Sequence, residues 1–372
     1  MRKLLALICV ISLSVGLLSA CSPSTGGSGT GGTATNSGGT GDTDSTATGG
    51  TTADGTDSTA TGDTATDNPA DPIDVNITVL RGPTGIGAVQ FMDEADNGNI
   101  TSNNFNFTIA ASVDEIVPGL AQKEIDIAAV PANLASVLYN NMDGAVQVLV
   151  IHTLGMIYIV ENGDTIGSVE DLRGQRIIAS GKGAPQEFAL NYILTTNGID
   201  PESDLEIEWK SEHTEVVQSL LAGTDKIALL PQPFVTTAQI ADDNIRIALD
   251  LNDEWDKAQT TAVADSALIM GVMIARTEFV SENPTVVADF LDYYATSIAF
   301  ANSNVEATAA LVGQYELFPE AVALRAIPYC NITYIDGTDM RDKFSGFLGV
   351  LFEQNPQAIG GALPGEEFYY IR

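Results

Sequence analysis

Two stretches of this chain, one hundred residues apart, carry the same pattern. Residues 112–133 read SVDEIVPGLAQKEIDIAAVPAN, and residues 212–233 read EHTEVVQSLLAGTDKIALLPQP. Aligned without a gap, Glu115/Glu215, Val117/Val217, Leu120/Leu220, Ile127/Ile227, Ala128/Ala228 and Pro131/Pro231 are identical. Each copy opens on polar residues and continues with apolar positions at helical spacing. A short turn follows, then a continuous apolar run that ends at proline, the mark of a buried strand. A chain that repeats such a unit must build two similar halves.

The segments upstream extend both copies. VNITVLRGPTGIGAVQFMDEA precedes the first and QRIIASGKGAPQEFALNYILTTNG the second. Both read as strand, glycine-rich turn and helix. A further strand leads into each repeated helix, FNFTIAA at 105–111 and LEIEWKS at 205–211. The unit is therefore β-turn-α-β-α-β, which pairs its strands in parallel through right-handed crossovers. The expected fold is α/β with two lobes, each a mainly parallel sheet flanked by helices, and a cleft between them. Ligands of such sheets lie beyond the carboxyl ends of the strands.

The chain begins MRKLLALICVISLSVGLLSAC. Two basic residues, an apolar run from Leu4 to Leu18 and small residues before Cys21 read as a signal peptide, because the run is short for a membrane span. Residues 22–74 are rich in Gly, Ser, Thr, Ala and Asp. They cannot bury enough apolar surface to offset the entropy of ordering and read as a tether. Its r.m.s. reach would be about 40 Å. The whole sequence holds 49 acidic against 16 basic residues, a formal net charge of −33. Such a surface argues against nucleic acid or an anionic membrane as partner of the folded body. Removal of a leader ahead of Cys21 leaves Cys21 and Cys330, too few for a cysteine metal cluster. Cys330 in IPYCNITYI reads as a small buried filler.

Leu18-Ser19-Ala20-Cys21 resembles the lipobox of bacterial lipoproteins. That resemblance implies cleavage before Cys21, a thioether-linked diacylglycerol on its sulfur carrying acyl chains such as palmitate, Cys21 as the mature N-terminus, and anchorage on the extracytoplasmic face of the cell membrane. The body, in turn, resembles the type II periplasmic substrate-binding proteins of ABC importers, within the nitrate/sulfonate/taurine and thiamine-pyrimidine-precursor group. RGPTGIGAV (81–89), EIDIAAVPAN (124–133), SVEDLRGQRI (168–177) and KIALLPQPF (226–234) carry the likeness, through their order and spacing. It implies a chain that crosses between lobes twice, near 151–164 and near 266–276. The expected organisation is a leader at 1–21, a tether at 22–74, lobe one at 75–160, lobe two at 161–262, and a return to lobe one with C-terminal helices at 263–372. The helices expected there are Pro284–Ser303, Val305–Tyr315, Pro319–Ala326 and Met340–Asn355, packed mostly on lobe one.

Strand ends and the family likeness together place the ligand-binding positions. They are Gly82, Pro83, Thr84 and Gly85 after the first strand, Lys182, Gly183 and Ala184 at the matching turn, Ser112 and His213 at the heads of the repeated helices, Asn133 and Gln232 after the proline-ended strands, and Thr153 on the first crossing. Each is equally a capping or turn residue. Glycine lets a ligand approach the backbone, and a helix N-terminus offers free N–H groups. Arg81 and Lys182, one base on each equivalent loop, invite a clamp on an anion, or else point outward from turns. His152 sits in an apolar run and reads as a core residue.

The likeness implies a monomeric receptor that captures a small anionic or heterocyclic molecule and delivers it to an ABC permease, without a cofactor or metal. Two other readings share the fold: a sensor presenting its closed form to a signalling receptor, and an enzyme. For catalysis the chain offers no nucleophile elbow, no HExxH and no phosphate-binding loop.

Overall fold

The computed structural model describes residues 71–259 and 266–372. The leader, Cys21 and nearly all of the tether lie outside them. The first lobe is laid down as β1 (Asp74–Leu80), α1 (Pro83–Ile86), α2 (Val89–Asp96), β2 (Asn104–Ala110), α3 (Val113–Ala121), β3 (Ile127–Pro131), α4 (Ala132–Asn141) and β4 (Val146–Leu154). The second follows as β5 (Ile157–Asn162), β6 (Arg176–Ser180), α5 (Pro185–Thr196), β7 (Glu206–Lys210), α6 (His213–Leu221), β8 (Ile227–Pro231), α7 (Phe234–Ala241), β9 (Ile245–Asp250) and α8 (Leu251–Gln259). The chain then returns through β10 (Ile269–Arg276), α9 (Thr277–Glu282), α10 (Pro284–Ser303), α11 (Val305–Gln314), α12 (Glu320–Ala326), β11 (Ile332–Ile335) and α13 (Gly337–Gln354).

The sheets have matching orders, β2-β1-β3-β10-β4-β11 and β7-β6-β8-β5-β9. The 100-residue offset holds to the residue in α3 and α6 and in β3 and β8. β1 pairs in parallel with β2 and β3, and β6 with β7 and β8. The other pairs are antiparallel: β10 with β3 and β4, β11 with β4, and β5 with β8 and β9. The sheets are thus mixed rather than mainly parallel. The reason is the crossing: β5 enters the second sheet, and β10 re-enters the first, against the direction of its own strands. The parallel pattern repeats in sequence, whereas the crossing strands belong to no repeat.

The burial pattern follows from this layering. β3 and β8 are covered on both faces and read as continuous apolar runs, Ile-Ala-Ala-Val and Ile-Ala-Leu-Leu, without alternation. The N3 glutamate shared by both repeats has a backbone task. Glu115 accepts from the N–H of Ala111 at 3.1 Å, and Glu215 from those of Ser211 and Glu212 at 3.1 and 3.3 Å. Donors ahead of the helix are satisfied at little cost in chain entropy. Cys330 is fully buried, donates to the Ala326 carbonyl and is pushed up to about 12 by burial.

The C-terminal helices depart in part from expectation. α10 packs on the first lobe, its Phe290 and Tyr294 in the core beside Phe91. α13 instead spans the lobes. Phe347 lies 5.7 Å from Trp255 of α8, and Gln354 donates to the Phe188 carbonyl of α5. No helix among the described residues is long and apolar enough to cross a membrane.

Candidate functional site

A cavity of about 530 Å³ lies between the lobes at the carboxyl ends of the parallel strands. The first lobe supplies Arg81 and Thr84 after β1, Ser112 after β2, and Leu317 and Phe318 ahead of α12. The second supplies Gln186 of α5, Glu212 and His213 at the head of α6, and Phe234 of α7. Met156, between β4 and β5, and Met270, on β10, come from the two segments that cross between lobes. Every wall is therefore set by an element whose position depends on how the lobes stand, so a bound molecule would feel their movement.

The second lobe's wall carries an aromatic stack. Phe234 lies 4.8 Å from the His213 ring and 5.4 Å, edge to face at 79°, from Phe318 of the other lobe. His213 shares a hydrogen bond with the Ser180 hydroxyl through Nδ1. Burial lowers its pKa to about 4, so the imidazole is neutral around pH 7. Arg81 sits exposed at the first lobe's edge and donates from its guanidinium to the Glu316 carbonyl at 3.2 Å.

Thr84, Ser112, Ala184 and His213 line this cavity. Thr84 also donates to the Leu80 carbonyl, and Ser112 and Ala184 are the N-caps of α3 and α5. Pro83 opens α1. Gly82 before it has φ 138°, a conformation that glycine alone adopts without strain. Gly85 backs onto Leu317: a Cβ there would stand 3.1 Å from a Leu317 methyl and 3.0 Å from the Leu80 carbonyl.

Asn133, Lys182 and Gly183 gather elsewhere, around a neighbouring depression of about 460 Å³ that shares Val113, Pro131 and Ala184 with the cavity. Asn133 donates to the Gly183 carbonyl at 3.1 Å and the Ala358 carbonyl at 3.2 Å, tying one lobe to the other. Gln232 is buried, and its side-chain oxygen accepts from the backbone and hydroxyl of Thr236, anchoring the first turn of α7. Thr153 is buried against His152, hydroxyl to Nδ1 at 2.7 Å. Arg81 and Lys182 consequently do not face each other across one space. Met156, Met270, Leu317, Phe318 and Phe234 went unrecognised in the sequence, where isolated apolar residues carry no sign of facing a cleft. Among the described residues no group of His, Cys, Asp and Glu is arranged to hold a metal ion.

Residues 100–292 match the family model described as ABC transporter, phosphonate, periplasmic substrate-binding protein. No curated protein matches the chain in sequence. Among solved structures, an ABC transporter protein from Parabacteroides distasonis is similar over 80% of this chain and 98% of its own, at 22% identity and a TM-score of 0.67. The periplasmic aliphatic sulphonate-binding protein SsuA of Escherichia coli covers 80% and 92% at 14% identity, TM-score 0.63. The periplasmic nitrate-binding protein NrtA of Synechocystis covers 80% and 83% at 12% identity, TM-score 0.54. At these identities the structural likeness is one of fold.

Proposed function

Because this chain belongs to the periplasmic substrate-binding proteins of ABC transporters whose family model is named for phosphonate, we propose that it works as a hinge-closing receptor whose cargo is held in the inter-lobe cavity. The observation that carries this reading is the cavity itself, walled by both lobes and by both crossing segments. A ligand that touches both lobes only when they are closed shifts the open–closed equilibrium by its differential affinity. The closed form then presents a joint surface of both lobes to a permease, as a monomer.

A thermal-stability screen of the secreted Cys21→Ser chain against small organic anions and heterocycles tests the reading. A true cargo at one hundred times its dissociation constant adds about 2.7 kcal/mol and is recovered chemically unchanged. Consumption of the ligand would overturn the receptor reading in favour of an enzyme. The absence of any stabilising ligand across a broad panel would remove its support.

The lipobox-like Leu18–Cys21 segment supports attachment of the receptor to the outer face of the cell membrane through Cys21. Two acyl chains hold a protein far more firmly than one. Cys21→Ser is therefore expected to move the protein from the membrane fraction to the medium or periplasm and to abolish incorporation of labelled palmitate. A variant that remains in the membrane fraction would refute the anchor.

A further inference from the structure

We infer that the cavity selects a small organic monoanion with an apolar, ring-accommodating body, such as an arylcarboxylate, and rejects the dianions that a phosphonate presents. The inference rests on the receptor reading above and concerns the chemistry of the same cavity.

The charges around the cavity decide the first half. Arg81 is the one base among its described walls, and its guanidinium can fork onto a single oxyanion. Lys182 belongs to the neighbouring depression. Three helices, α3, α5 and α6, point their N-termini toward the cleft, and such termini ordinarily favour anions. Here each carries a first-turn carboxylate that accepts from the backbone just ahead of the helix and offsets part of its positive end. Glu115 accepts from Ala111, Glu187 from Gly183 at 2.6 Å, and Glu215 from Ser211 and Glu212. Glu212 itself lines the cavity. His213, the remaining titratable group of the wall, is neutral until about pH 4 and adds no positive charge. A first negative charge has Arg81; a second finds no further cation among the described walls and has Glu212 beside it.

The rest of the surface decides the second half. Met156 and Met270 are nearly buried, and a thioether adapts to and favours the edges of aromatic rings. Leu317 and the Phe234–Phe318 pair line the same cavity, the rings edge to face as aromatic neighbours prefer. A volume of about 530 Å³ suits a small molecule with a body of this kind.

Titration calorimetry of the secreted full chain with naphthoate, naphthamide, naphthylphosphonate and acetate tests this. Naphthoate should bind, and acetate, which lacks the ring, should bind at least about tenfold more weakly. At about pH 8.5 the phosphonate should also be at least about tenfold weaker than naphthoate, and the gap should narrow near about pH 6 as the dianion takes up one proton and becomes a monoanion. Arg81→Gln should erase the preference for naphthoate over the neutral amide. A phosphonate that binds as tightly as naphthoate at alkaline pH, an acetate that matches it, or a naphthoate that fails to bind overturns the inference. Small-angle scattering on the same samples separates the two levels. Lobe closure by the phosphonate would refute this selectivity and leave the receptor reading standing.

Discussion

Replacing Asp126 with alanine will destabilise the protein by about 3–5 kcal/mol, the usual cost of stranding one member of a buried ion pair. Asp126, at the start of β3, is 6% exposed, and its carboxylate receives the Arg276 guanidinium at 2.6 Å and the backbone N–H of Asn76 at 2.8 Å. Arg276 ends β10 and also donates to the Ile125 carbonyl at 3.1 Å. One carboxylate therefore joins β1, β3 and the returning strand at the end of the first sheet remote from the cavity. Truncation leaves the guanidinium largely buried and the Asn76 N–H without its acceptor. Urea denaturation measures the loss directly. Asp126→Asn, which keeps an acceptor for Asn76, should cost less, and Asp126→Leu combined with Arg276→Met should recover part of the loss. A change below about 1 kcal/mol in Asp126→Ala would show that water replaces the pair and that the junction carries little.

Mild acid should weaken the protein through its two buried histidines. Burial lowers His152 to about 3 and His213 to about 4, against about 6.5 for a free imidazole. His152 is 1% exposed, its Nδ1 paired with the Thr153 hydroxyl and its ring edge-on to Tyr294. Its Nε2 has no partner among the described residues, so a proton there would be a buried unpaired charge. The sign follows from the depressed values. Between about pH 6.5 and 4 the unfolded chain binds protons that the native chain refuses, so stability falls as pH falls. Each histidine contributes up to about 1.4 kcal/mol per pH unit, or about 3–4 kcal/mol for the two between pH 7 and 5. Asp250 and Asp256, whose carboxyls burial pushes up, act in the opposite sense and reduce the slope. Denaturation midpoints at pH 7, 6 and 5 should decline together with the extrapolated stability, and His213→Gln should remove about half of the decline. Stability that stays level to pH 5 would mean that both rings take up protons in the folded state.

The two α/β lobes were legible because the information that specifies them is local. Apolar periodicity marks α3 and α6, a continuous apolar run marks β3 and β8, and Glu115 and Glu215 recur because each helix must satisfy the donors ahead of it. The candidate site was legible only as a set of loops. Thr84, Ser112, Ala184 and His213 stand where strand-to-helix junctions open into a common space, a placement that follows from the parallel arrangement itself. Gln232 and Thr153 occupy equally suggestive junctions, yet their side chains turn inward, one to hold α7 and the other to partner His152. Nothing in a short window distinguishes a polar side chain that caps a helix from one that meets a ligand.

The sequence by itself determined two repeated β-turn-α-β-α-β units and the turns that could meet a ligand, because periodicity and capping act over a few residues. It also carries the leader and tether readings, which depend on local pattern and composition alone. Only the tertiary structure decided that Leu317 and Phe318 close the cavity from more than two hundred residues beyond β1, that Met156 and Met270 reach it from the crossings, and that Asn133 and Lys182 fall into a neighbouring space. Those outcomes depend on how two sheets face each other and where the returning chain packs. Such contacts join residues distant in sequence, and their energy is defined only once both lobes have formed.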